Sequence, residues 1–76
     1  MDKDQLKIAF GAHLTKLRKE RELSIHQLAH ACDLEYSHVQ RIEKGKVNIA
    51  LTTLASLAQG LNMNLEELFS DFNAPQ

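Results

Sequence analysis

The stretch Ile25–Lys44, IHQLAHACDLEYSHVQRIEK, decides the fold through the spacing of four anchors, Ala29, Asp33, Val39 and Ile42. Ala29 is small where two helices must cross closely, and a larger side chain would push them apart. Asp33 sits where the chain reverses through a left-handed conformation. Glycine adopts that conformation most easily, and Asp is among the few tolerated alternatives. Val39 and Ile42, three residues apart, pin the second helix by one face. The stretch therefore reads as two short helices meeting across a sharp turn. The first is Ile25–Cys32, with Leu28, Ala29 and Cys32 inward, and the second is Tyr36–Lys44. Pinning one face of the second helix leaves Tyr36, Ser37, Gln40, Arg41 and Lys44 outward.

Upstream, a helix is predicted over Lys3–Glu20. Asp2 is a good N-cap, and Gln5 three residues later completes a capping-box pattern. Leu6, Phe10, Leu14 and Leu17 form one helical stripe, and Lys16, Arg18, Lys19 and Arg21 place positive charge at its end. Ser24 with Gln27 makes a second box. Downstream, Gly45 is a natural stop, and Lys46–Ala50 is a loop. Leu51–Gly60 is a helix with Leu51, Leu54, Leu57, Ala58 and Leu61 inward. Asn62 is a left-handed cap, and Asn64 with Glu67 opens a last short helix over Leu65–Ser70. The expected fold is all-α, five helices in a single domain over residues 1–76. The core spans about residues 6–70, and the tail at 73–76 is frayed.

Composition narrows the class. Seventy-six residues leave room for one core, and 43% hydrophobic with 25% charged residues is globular composition. A single cysteine, Cys32, excludes an internal disulfide framework and suits a reducing cytosol. Met1–Gln5 is charged with no apolar run after it, so no signal peptide is expected, and no run is long enough to span a membrane. A cytoplasmic location is expected. Net charge is −1, which argues against nucleic acid, but the distribution is uneven. Residues 1–24 carry six Lys/Arg and four acids, residues 25–50 carry three of each, and residues 51–76 carry three acids and no Lys/Arg. A phosphate-facing side belongs to the first two-thirds.

Two helices with a tight turn and a rigid, polar outward face make a helix-turn-helix, the shape that reads base edges in the major groove. Around it stand LRKERELS (17–24), QLA (27–29), Val39, RIE (41–43), KGK (44–46) and NIALTTLASLAQGLNMNLEELF (48–69). In these positions the chain resembles the Cro/C1-type, or XRE, helix-turn-helix regulators from about Phe10 to Phe69. The resemblance implies a five-helix lambda-repressor-like domain that binds a double-stranded DNA operator, usually as a dimer. It implies base contacts from Tyr36, Ser37, Gln40 and Arg41. Phosphate contacts would come from Lys44, Lys46, Asn48 and Arg18, and an ion-pair brace from Arg18 and Glu43. Three positions depart from the family pattern. Ile25 replaces a phosphate-binding Gln, Asp33 replaces a glycine, and Ala50 replaces a Ser cap, at a cost of about 1 kcal/mol.

Other side chains have plainer readings. His26 and His30, four apart, could share a metal, but with no second ligand pair they read as an exposed face, so no metal or cofactor is expected. His38 could contact DNA or pack against the preceding helix. Cys32 reads as a small core residue and Ser24 as a cap. Leu68 and Phe69 are expected to close the core. Phe72, so near the end, is expected to be exposed unless a partner covers it. Leu65, Phe69 and Phe72, joined by Ile8, thus form the expected homodimer interface. No set of residues supports catalysis. The rival class is a protein-interaction module of the same fold, with a toxin or anti-repressor as its protein partner.

Overall fold

The computed structural model describes residues 2–75. Its helices are α1 (Lys3–Glu20), α2 (Ile25–Cys32), α3 (Tyr36–Glu43), α4 (Leu51–Gly60) and α5 (Leu65–Leu68), with no strand among the described residues. No helix among them is long and apolar enough to cross a membrane. Packing is pairwise: α1 on α3, α2 on both α3 and α4, and α4 on α5. The tail expectation over 73–76 falls partly on Gln76, outside the described residues.

Capping chemistry sets most boundaries. Ser24 Oγ accepts the Gln27 N–H at 3.0 Å while Gln27 Oε1 accepts the Ser24 N–H at 2.8 Å. Asn64 and Glu67 repeat the arrangement at 2.7 and 2.9 Å. Asp2 departs from the predicted box, since its carboxylate accepts from the Asp4 N–H at 2.9 Å. Glu35 and Ala50, which open α3 and α4, provide no side-chain cap. Helix ends follow one rule. After α1, α2, α3 and α4, a left-handed residue (Glu22, Asp33, Gly45, Asn62) lets the next N–H return to a carbonyl five residues back. After α1, α2 and α4 that next residue is apolar, and Leu23, Leu34 and Met63 pack against the core. Gly45 stops α3 one residue before the predicted Lys44. Left-handed Asp71 turns the chain after α5, which ends at Leu68 and not Ser70.

The core consists of Phe10, Leu14, Leu17, Leu28, Ala29, Cys32, Val39, Ile42, Leu57, Ala58, Leu61 and Leu68. Leu51 is a correction: it was predicted inward and is 71% exposed. Helical side chains lean toward the N-terminus, so the side chain of the first residue of α4 leans past the helix end. Phe72 is the second correction. The Asp71 turn brings it back onto His13 (ring centroids 5.2 Å apart) and Phe10 (5.9 Å), where it is half-buried. Phe69, expected to close the core, stays 37% exposed. Two helix crossings depend on absent side chains. A Cβ on Gly11 would lie 2.6 Å from the carbonyl oxygens of Ile42 and Glu43, and one on Gly60 would collide with Cys32 Sγ. Burial of Cys32 pushes its thiol up to about 11, and the Gly60 backbone offsets this in part.

Polar ties join α1 to α3, to the segment before α2, and to the ends of α4 and α5. Arg18 Nε donates to Glu43 Oε2 at 2.7 Å, and Nη2 donates to Oε1 at 3.1 Å. Arg18 Nη1 donates to the Leu23 carbonyl at 2.8 Å. The Thr15 hydroxyl stands 2.9 Å from both Glu43 Oε1 and the Gly11 carbonyl. The Glu43 hydrogen bond holds the Arg18 guanidinium above its ordinary pKa. Arg21 Nε donates to the Leu61 carbonyl at 3.2 Å, bringing a cation to the end of α4, which has no basic residue of its own there. His13 Nε2 donates to the Leu68 carbonyl at 2.7 Å, which ties α1 to α5 and fixes the proton on that nitrogen.

Two expected outcomes follow from this packing. Arg18→Met and Glu43→Leu should each lower stability by about 2 kcal/mol, between the worth of exposed and of fully buried pairs. The double variant should lose clearly less than the sum in urea unfolding, and strict additivity would mean that no coupled pair exists. Because the thiolate of Cys32 is disfavoured, native protein at pH 8 should resist a thiol-disulfide reagent that labels the urea-unfolded chain at once.

Candidate nucleic-acid interface

Eight residues make α3 too short to hold its own shape, so its orientation comes from what it packs on. Val39 and Ile42 are 0% and 1% exposed and point into the core. Tyr36, Ser37, Arg41 and Lys44 are exposed, and Gln40 is half-buried. Four-residue spacing places Tyr36, Gln40 and Lys44 in one row and Ser37 with Arg41 in the adjoining row. The second row borders a hollow of 260 Å³, together with Glu35, His38 and Val47. His38 is exposed there and does not pack into the core. Arg41 makes no ion pair among the described residues, so its guanidinium fork is uncommitted.

Lys46 and Asn48 follow on the exposed loop after α3. Arg18 is a correction to the phosphate set. Its Nε and both terminal nitrogens are bonded to Glu43 or Leu23, and only 12% of its side chain is exposed. Its place is the interior brace. Ile25, where the family pattern has a polar residue, packs its side chain against the core. His26 and His30 belong to no group of three metal-ligating residues among those described.

Three features of the surface were not read from the sequence. Lys3 and Lys7 line a 300 Å³ notch with Leu6 and Asn48, which places two α1 lysines beside the loop after α3. Their four-residue spacing was the available signal, since it puts both on one face of a helix. Lys7 lies 3.7 Å from Asp4, a pair too exposed to hold it firmly. Glu35 stands beside Ser37 and Arg41, an acid at the edge of the polar face. His26 stacks on Tyr36, a contact between helices that no local spacing encodes.

The acids of the last third, Glu66, Glu67 and Asp71, are exposed on and after α5, which packs on α4, whereas α3 packs on α1 and α2. Of the three residues expected at a dimer interface, Leu65 and Phe69 are 38% and 37% exposed, and Phe72 is turned into its own chain. Ile8 is 58% exposed, and its backbone lies against Gly45 at the end of α3.

Comparison with known proteins agrees with this geometry. The Helix-turn-helix family model matches residues 14–68. The control protein C.MunI of a Mycoplasma species is 44% identical over 69 residues, covering 90% of this chain and 93% of its own. The HTH-type transcriptional regulator PuuR of Escherichia coli is 32% identical over 90% of this chain, which spans 37% of that longer protein. Among solved structures, the restriction-modification controller protein C.AhdI from Aeromonas hydrophila superposes with a TM-score of 0.77 at 35% identity. The match covers 82% of this chain and 94% of that one. The chain belongs to the Cro/C1-type helix-turn-helix family of DNA-binding transcriptional regulators, and is not an enzyme.

Proposed function

We propose that this protein is a sequence-specific regulator of the controller type, which binds a pseudo-palindromic operator as a homodimer. The α3 helices of the two copies enter successive major grooves about 34 Å apart. The observation that carries this reading is the uncommitted polar face of a helix locked from behind by Val39, Ile42 and the Arg18–Glu43 brace. Arg41 takes guanine O6 and N7 together, worth about 1–3 kcal/mol of discrimination. Gln40 meets an adenine edge or a phosphate. Tyr36 meets a thymine methyl or a phosphate, and Ser37 completes the base-contacting set. Lys44, Lys46 and Asn48 grip phosphates and set the register, and Lys3 and Lys7 extend that grip along α1. Leu65, which opens α5, and Phe69, which follows its last residue, are the exposed apolar pair around which the second copy packs. The protein acts in the cytoplasm by occupying a promoter.

This chain covers nearly the whole of C.MunI and C.AhdI but only 37% of PuuR, and the names control and controller protein favour that role over the broader one of PuuR. The net charge of −1 and the inward Ile25 favour a second reading, a fold of this class whose main partner is a toxin or anti-repressor. Binding to bulk DNA at low salt separates the two, because complete absence of binding supports only the second.

On an operator selected from random DNA, Arg41→Ala should abolish site preference while leaving bulk-DNA affinity nearly unchanged. Lys46→Ala should weaken both about equally and lower the salt slope by about 1. Equal loss of specific and non-specific binding in Arg41→Ala would remove the assignment of α3. In sedimentation, the wild type should be dimeric and Phe69→Glu monomeric. A wild type that stays monomeric at high micromolar concentration would sink the dimer.

A further inference from the structure

The first turns of α2 and α3 touch through two aromatic rings. The imidazole of His26, second residue of α2, lies on the phenol of Tyr36, first residue of α3. Ring centroids are 4.0 Å apart and the planes 16° from parallel. Both residues are exposed, so burial does not impose the stack. A surface tyrosine with no neighbour would sample several rotamers, and an imidazole laid on its ring selects one. The location adds weight to the contact. Val39 and Ile42 hold α3 only from its second turn onward, and its opening residue Glu35 gives no side-chain cap. The stack is therefore a side-chain tie at the leading end of α3.

We infer that His26 is a positioning residue for DNA recognition, which holds the Tyr36 ring in one orientation before the operator arrives. It acts through Tyr36 and makes no base contact of its own. Ordering the ring in advance removes part of the entropy lost on binding. The inference rests on the proposed reading of α3 as the recognition helix.

The chain has one tyrosine and no tryptophan, so the ring protons of Tyr36 report on the stack without a label. In the free protein, His26→Ala should move these resonances as the imidazole ring current is lost, and His26→Phe should retain a stacked shift. Unchanged Tyr36 resonances in His26→Ala would overturn the inference without reference to DNA. On the selected operator, His26→Ala should weaken specific binding roughly fivefold and leave bulk-DNA affinity and the salt slope unchanged. His26→Phe should restore most of the loss, and His26→Ala should add nothing in a Tyr36→Ala background. Additive losses with a reduced salt slope would make His26 a phosphate contact and overturn its positioning role. Arg41→Ala on the same site keeps the two readings apart. Dependence on Arg41 without dependence on His26 removes the inference alone, and no site preference in the wild type removes both.

Discussion

The carboxylate of Glu43 is the point on which the arrangement of this domain turns. Arg18 holds both of its oxygens, at 2.7 and 3.1 Å, and Thr15 adds a third contact from one turn earlier on α1. The pair closes a crossing that Gly11 makes close, since a Cβ there would strike the carbonyls of Ile42 and Glu43. Charge and sterics thus act on the same two helices. The glycine lets α1 approach α3, and the ion pair fixes how far α3 can rotate or slide against α1. Arg18 also bonds the Leu23 carbonyl, so the chain entering α2 is referred to the same guanidinium.

An eight-residue helix gains little from its own hydrogen bonds, and α3 is tied along its whole length instead. His26 meets its first residue, Val39 and Ile42 enter the core from its middle, and Arg18 takes its last. What remains is a polar strip with one uncommitted guanidinium. Rigidity of this kind suits base recognition, because a side chain read against a base edge must be placed to well under the width of a hydrogen bond. A chain of net charge −1 can still present cations to a partner, because Lys44 and Lys46 follow α3 while the acids of the last third gather at α5.

Helix bounds were legible because the deciding residues are local. Ser24 with Gln27 and Asn64 with Glu67 are recognisable as pairs three residues apart, and Asp33, Gly45 and Asn62 are residue types that tolerate positive φ. Glu22 adopts the same conformation after α1 without any such signal. Its left-handed turn is imposed by Leu23 reaching the core and the Leu23 N–H returning to the Arg18 carbonyl. Of the site, the outward set on α3 could be read from helical spacing. The stack of His26 on Tyr36 and the notch joining Lys3 and Lys7 to Asn48 could not, because each joins residues distant in the chain.

The sequence by itself determined five helices and their order, the turn at Asp33, and which face of α3 is apolar, because caps and four-residue periodicity act within a single element. Tertiary structure decided the rest. It took Arg18 out of the phosphate set by burying it in the brace to Glu43 that the resemblance implies, folded Phe72 back onto His13, and left Leu51 uncovered at the head of α4. Each of these depends on where a second element lies in space. A pattern along one helix marks a face as available or buried, and only the packing of neighbours settles what that face meets.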